Sequence, residues 1–167
     1  MTMKSNLSLA LKLSHHYKVE CFDKEGNLKW KEDVDNLVVT TGQNDILNKY
    51  YAGSAYTAAN YIGLTTGSPT FVAGDTMASH TGWTEYTAYS NATRVAPVWG
   101  TASAASITAP ASAFNINGAG GTVGGAFLTT NSTIGGTTGI LIGEAVFSAN
   151  RTVASGDTVN VTPTASV

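Results

Sequence analysis

Apolar and polar residues alternate near the start of the chain: Leu7, Leu9, Leu11 and Leu13 are separated by Ser8, Ala10 and Lys12. A period of two belongs to an extended strand, whose successive side chains point to opposite faces. The alternation predicts a strand or an extended arm over residues 1–16. Tyr17 to Phe22 continues in strand-like composition, and Asp23-Lys24-Glu25-Gly26-Asn27 predicts a turn, with Gly26 free to take a positive φ. Leu28 to Val34 then returns as the second arm of a hairpin, apolar at Leu28, Trp30 and Val34, and Asn36 to Thr40 predicts a further short strand.

The period changes next. Ile46, Leu47, Tyr50 and Tyr51 recur at i, i+1, i+4 and i+5, which places them on one apolar face of a helix over Gln43–Tyr51. Thr41 or Gly42 would cap it. Asp45 in the first turn and Lys49 in the last would complement the helix dipole, and Ala52-Gly53-Ser54 ends it.

Beyond the helix, short apolar runs are punctuated by Gly, Pro, Ser, Thr and Asn. Tyr61 opens a strand that breaks at Gly67-Ser68-Pro69, and a loop leads to Trp83, Tyr86 and Tyr89. Strands are predicted at Thr93–Trp99, Ser106–Thr108, Ala113–Asn117, Thr122–Thr129, Ile140–Phe147 and Asp157–Thr162. Gly125 and Gly143, inside two of them, predict bulges or close backbone approach. The fold class is therefore mainly β: a single-domain sandwich, jelly roll or barrel with one short helix. Residues 1–16 form an N-terminal arm, and residues 17–167 form the β domain that includes helix 43–51. Val72-Ala-Gly-Asp-Thr76 and Val153-Ala-Ser-Gly-Asp-Thr158 echo one another and predict equivalent turns, but two copies do not make a repeat protein.

Composition sharpens this picture. The chain has 167 residues, enough for one domain with a sizeable core, and an ordinary apolar fraction of 43%. Only 12% of residues are charged, about half the usual ~25%. Fourteen of the twenty charged residues lie in residues 1–50. The rest of the surface is Thr, Ser, Ala, Gly and Asn, which suits packing against neighbouring molecules better than the isolated life of a charged monomer.

Several functions lose support from the same numbers. A net charge of −2 without a run of Lys or Arg gives little of the phosphate neutralisation that nucleic-acid binding needs. A single cysteine, Cys21, excludes an intramolecular disulfide framework, and its alternating context predicts burial. No apolar stretch approaches the ~18–20 residues that span a bilayer. Met1 to Ser14 is interrupted by polar residues and reads poorly as a signal peptide. Assembly in the cytoplasm is the simplest expectation.

Candidate chemistry is sparse. His15 and His16 are adjacent, so a strand points them to opposite faces and they chelate one metal poorly. His80 lies five residues from both Asp75 and Glu85, yet no Gly-x-Ser-x-Gly elbow accompanies it. Glu144, between Gly143 and Ala145, needs a partner such as Arg94 or Arg151 if it points inward, and none if it points outward. The Gly118–Gly125 run lacks the Lys-Ser/Thr ending of a phosphate loop and precedes a strand, not a helix. Catalytic residues, cofactor-binding residues and metal ligands are all expected to be absent, and the chain is read as a non-enzyme.

Several stretches together resemble a group of tailed-bacteriophage virion proteins. They are Phe22-Asp-Lys-Glu-Gly-Asn-Leu-Lys-Trp30, Asn36-Leu-Val-Val39, Gly42-Gln-Asn-Asp-Ile-Leu47, Tyr61-Ile-Gly-Leu64 and Ala73-Gly-Asp-Thr-Met-Ala-Ser-His-Thr-Gly-Trp-Thr-Glu85, followed by Ile134-Gly-Gly-Thr-Thr-Gly139 and Ser155-Gly-Asp-Thr-Val-Asn-Val161. The resemblance spans roughly residues 20–162 and leaves Met1 to His16 unmatched. It implies a capsid decoration, or cement, protein: a small β-rich subunit on the outside of the head that braces the expanded shell against DNA pressure. The implied partners are the major capsid protein and further copies of the chain, as a dimer or trimer, with neither nucleic acid nor membrane. Its place would be the exterior of a virion assembled in the host cytoplasm. Leu7, Leu9, Leu11 and Leu13 in the arm and Trp83 and Tyr86 at the loop are the expected contact residues, the aromatics serving either within the core or on a neighbour. A strand added to an exposed sheet edge would supply main-chain hydrogen bonds. A tail or fibre component that binds a receptor is the competing reading, and a small hydrolase using His80 a weaker third.

Overall fold

The computed structural model describes residues 13–56 and 60–167. Among the described residues the chain is mainly β, with one helix and nine antiparallel strands in one hydrogen-bonded sheet, eight of them along a single path and the ninth, β6, paired beside β9. The first hairpin forms as its pattern dictates. Strands β1 (Ser14–Phe22) and β2 (Leu28–Val38) pair from His15↔Asn36 to Phe22↔Leu28. In the turn between them the Asp23 carboxylate accepts from the backbone N–H of Glu25 and Asn27, and Gly26 takes φ 86°. β1 begins at Ser14, so residues 14–16, placed by sequence in the arm, belong to the sheet.

β2 absorbs both strands expected over 28–40, and it divides its partners. Leu28 and Trp30 to Asn36 pair with β1, with a bulge at Lys29, whereas Leu37 and Val38 pair with Glu144 and Gly143 of β8 (Leu141–Val153). On one side of this switch lie β1 and β9 (Thr158–Ser166), with β5 (Ser106–Thr108) and β6 (Ser112–Asn115) along the outer edge of β9. On the other side follow β8, β7 (Gly121–Thr129), β3 (Tyr61–Thr66) and the two-residue β4 (Glu85–Tyr86). The halves enclose one core: Tyr17, Val19 and Val161 from the first pack in the same cluster as Ile62, Leu128 and Phe147 from the second.

A second, smaller core lies apart from the first. Val39, Met77, Trp83, Phe127 and Leu141 form it, with Phe71 packed alongside. The segment between β3 and β4 supplies Phe71, Met77 and Trp83, so it closes over β7 and β8 instead of standing away from them. The echoed turns within the chain are equivalent, as expected. Asp75 donates its N–H to Val72 O and accepts from Val72 N–H through its carboxylate, and Asp157 does the same with Ala154.

Three expectations are corrected by the coordinates. Helix α1 spans Thr40–Tyr50, three residues earlier than predicted, and Val39 is its N-cap without a side-chain cap bond. Thr41 donates its hydroxyl to Leu141 O instead of capping, and Gly42 lies so close to β8 that a Cβ would sit 2.3 Å from Ile142 O. The earlier start also puts Asp45 beyond the first turn, where it pairs with Lys49 at i+4. Finally, Thr93–Trp99 forms no strand. Val95 makes a single bridge to Ile62, and Pro97 has no N–H to continue a ladder.

Candidate functional site

Two regions have features that the packing of the fold does not consume. The first lies beneath the loop that ends at Trp83. Glu144 is the register partner of Phe127 and is fully buried. Asn36 fixes the backbone there, accepting from Glu144 N–H at 3.0 Å, and its amide packs where a side chain on Gly143 would stand. The Glu144 carboxyl is near the Asp75 carboxyl and the Trp83 indole, but neither of its oxygens has a hydrogen-bond partner among the described residues, and nor has Trp83 Nε1. Burial, reinforced by the Asp75 charge, pushes the carboxyl up to about 8. It is a neutral acid at neutral pH, which removes the need for a cation.

The arginines nominated as partners serve elsewhere. Arg94, itself buried, grips Glu85 through two bonds of 2.8 and 2.7 Å and donates to Asn131 O and Gly136 O. Glu85 also accepts from Gly135 N–H at 2.7 Å. This pair therefore pins the Asn131–Gly136 turn onto β4. Arg151 pairs with Glu32, whose carboxylate also accepts from Ser148.

His80 offers no catalytic geometry. Its ring stacks on Trp83 at 3.7 Å, and Nδ1 lies 3.3 Å from Trp83 O. Among the described residues no hydroxyl is hydrogen-bonded to it, and Asp75 is engaged in its own turn. Trp83 and Tyr86 are only 7% and 5% exposed, so neither presents its ring to a neighbour. Trp83 packs on Phe127 at 4.8 Å and edge-on to Phe71 at 6.0 Å. Of the two roles expected of them, in the core or on a neighbour, their aromatic density fits packing within the chain, and as contact residues they are corrected. Cys21 is buried, and desolvation, with Asp157 nearby, pushes its thiol up to about 12, so it is inert.

The second region is the end of the sandwich beside α1. The apolar face predicted for the helix exists, but it faces outward. Gly42 is its only buried residue, while Tyr50 and Tyr51 are 80% and 75% exposed. Their rings meet edge-on at 5.0 Å, Leu47 is exposed beside them, and Lys49 covers the ring of exposed Tyr56 at 4.7 Å. The helix touches the sheet at its N-terminal end through the close approach of Gly42 to β8, and leaves the rest of this face uncovered.

Between α1 and the sheet runs an apolar groove of about 490 Å³. His15, Ala165 and Ile107 form one wall as a single cross-strand row of β1, β9 and β5. Leu128 and Ile142 stand opposite, and Ile46 and Tyr50 of α1 close a side. Two polar atoms in this groove have no hydrogen-bond partner among the described residues: His15 Nδ1 and Trp99 Nε1. Burial holds His15 down to about 4, so its ring is neutral at neutral pH. His16, on the opposite face as expected, is half-exposed and raised by its hydrogen bonds to Asp35 and Asp33.

Leu13, the first described residue, is half-buried, while Leu7, Leu9 and Leu11 lie outside the described residues. Sequence reasoning missed the groove because its walls come from six separate elements. The only local signal was the helix face itself, whose four apolar residues were legible but whose orientation was not. Among the described residues no cluster of three or more His, Cys, Asp or Glu side chains is placed to hold a metal ion, and no helix is long and apolar enough to cross a membrane. No protein-family model matches the chain, and no curated protein matches it.

Proposed function

We propose that this protein is a virion structural protein that binds the outside of a tailed-phage head and stabilises the capsid through protein–protein contacts, with the major capsid protein and further copies of itself as partners. The observation that carries this reading is the outward apolar face of α1. Tyr50, Tyr51 and Leu47 make a contiguous exposed patch on a chain with few charges to spare for solubility, and such a patch marks a contact surface. Tyrosines suit this role because they bury a large apolar area and keep a polar tip for the rim. The Gly42-Gln-Asn-Asp-Ile-Leu47 stretch that bears the resemblance lies in the same helix. Many copies on a symmetric shell turn individually weak contacts into firm attachment.

The test is co-sedimentation of the purified chain with expanded, undecorated heads, together with a count of copies per virion. Saturable binding at hundreds of sites is expected, and so is its loss in Tyr50→Asp/Tyr51→Asp. Only a few copies per virion would overturn the proposal in favour of a tail or fibre component.

A further inference from the structure

We propose that Glu144 and Asp75 form a proton-operated latch on residues 71–81, which lie closed over β7 and β8 while Glu144 keeps its proton and lift when it is lost. The segment is built to move as a unit. Of its eleven residues only Asp75 and Met77 are buried. Among the described residues one backbone hydrogen bond ties it to the rest of the chain, from Thr40 N–H to Ala73 O at 2.9 Å. Its other backbone bonds are internal, joining Asp75 to Val72 and Thr76 to Ser79. A segment with few buried contacts and few outside bonds opens locally at low cost.

The two ends of the segment meet at a fixed point. Thr70 donates its N–H to Gly82 O at 2.8 Å, and the chains cross so closely that a Cβ on Gly82 would fall 2.0 Å from Thr70 O. Below this pinch, Thr66 donates its N–H to Thr84 O, β3 pairs with β4, and Arg94 holds Glu85. The pinch is a hinge. Beyond it the segment is held down by Phe71, Met77, the Ala73 bond and the Asp75 side of the acid pair.

The two carboxyls lie on opposite sides of this closure. Glu144 belongs to the sheet, where its register partners are Phe127 of β7 and Leu37 of β2, and Asn36 holds its N–H. It has nowhere to go. Asp75 belongs to the segment, in the turn it makes with Val72. The groups around Glu144 leave a charge on it unanswered. Tyr17 of β1 has a hydroxyl that burial raises further above neutrality, and it accepts from Asn36. Phe127 is apolar, and Arg94 beyond its ring is committed to Glu85. Trp83 offers an indole N–H and carries His80 stacked on its face, and Asp75 brings a second acid. With its proton, Glu144 is tolerated there. Without it, two carboxylates face each other out of water, where like charges are costly. Hydration relieves them, and the member free to move is the segment that carries Asp75. Lifting it uncovers Trp83, Phe127 and Leu141, so the proton controls access to the smaller core. This latch is independent of the capsid reading, which rests on α1.

The experiment is hydrogen exchange of the full chain between pH 6.5 and 8, corrected for the base-catalysed rate of an open N–H. The Thr40 amide and the buried Trp83 indole N–H should lose protection about tenfold per pH unit, one proton's worth. They should do so from a level below that of the β1–β9 ladder, which reports global unfolding. Glu144→Gln should abolish the fall, and Asp75→Asn should shrink it, since burial still acts on Glu144. His80→Gln should leave it unchanged. No fall in the wild-type chain, a fall of full size in Glu144→Gln, or protection equal to that of the ladder overturns the latch. An unaltered fall in Asp75→Asn overturns the pairing with Asp75, and loss of the fall in His80→Gln assigns the response to the histidine instead.

Discussion

Arg94 and Glu85 face each other as a buried, two-point ion pair, with Nε and Nη2 of the arginine 2.8 and 2.7 Å from the two carboxylate oxygens. Two backbone carbonyls and one backbone N–H complete their shells, and the guanidinium lies 5.1 Å from the Phe127 ring centroid. Such a pair adds little over a well-packed apolar substitute, but removing one member strands the other. Arg94→Ala is expected to destabilise the chain by about 3–5 kcal/mol, read from chemical denaturation. The double variant Arg94→Met/Glu85→Leu should recover a large part of that loss. A loss in Arg94→Ala below 1 kcal/mol would show that the pair is solvated.

Two buried groups set the pH profile, and they oppose each other. Glu144 rises in the fold from 4.5 to about 8. Its contribution is complete below about pH 4.5 and is lost as pH climbs through about 8. His15 falls from 6.5 to about 4, so its contribution is complete above about pH 6.5 and is lost as pH drops through about 4. From pH 4.5 to 6.5 the two slopes cancel. Above 6.5 Glu144 lowers stability by up to about 1.4 kcal/mol per pH unit, and His16, raised by its hydrogen bonds to Asp35 and Asp33, loses its contribution in the same direction. Thermal unfolding between pH 6.5 and 8.5 should show a decline, and Glu144→Gln should remove the Glu144 share of it. A decline of equal size in that variant would remove Glu144 as the cause.

Gly42 sits where the helix meets β8, with no room for a side chain: a Cβ would fall 2.3 Å from one backbone atom of Ile142 and 2.7 Å from another. Gly42→Ala raises intrinsic helix propensity by about 1 kcal/mol, yet it must push α1 off the sheet. The net outcome expected is destabilisation of about 1–3 kcal/mol, with faster hydrogen exchange in α1. A stabilised variant would show that the helix is free to move.

Tyr50→Asp/Tyr51→Asp separates stability from binding. Both residues are largely exposed, so the unfolding midpoint should change little, within about 0.5 kcal/mol. Head binding should fall by at least tenfold. Unfolding of this variant, measured by circular dichroism, would instead assign the tyrosines to the fold.

The strands and their order of hydrophobicity were legible because period two is a local property. The Asp23–Asn27 turn, the paired turns at Asp75 and Asp157, and the opposite faces of His15 and His16 could all be read within a few residues. What escaped was set by distant partners. Trp83 stayed open between a core role and a contact with a neighbour because the residues that bury it, Phe127 and Leu141, come from strands more than forty positions away. Arg94 was offered to Glu144 because both are isolated charges in an apolar region, whereas the fold gives Glu85 to Arg94 and leaves Glu144 beside Asp75. The stripe on α1 was found, but periodicity marks a face without saying whether sheet or solvent lies against it. The groove, spread over six elements, had no local trace.

β1 and β9 join the two ends of the chain: Ser14 pairs with Ser166 along a ladder that runs to Phe22↔Thr158. A ribosome must therefore deliver the whole run from β1 through β9 before β1 can find its second neighbour. Contacts this remote in sequence make folding slow, and incomplete chains expose unpaired strand edges in the meantime. The nascent chain carries the β1–β2 hairpin and the aromatic helix out first, without the strand that completes their sheet.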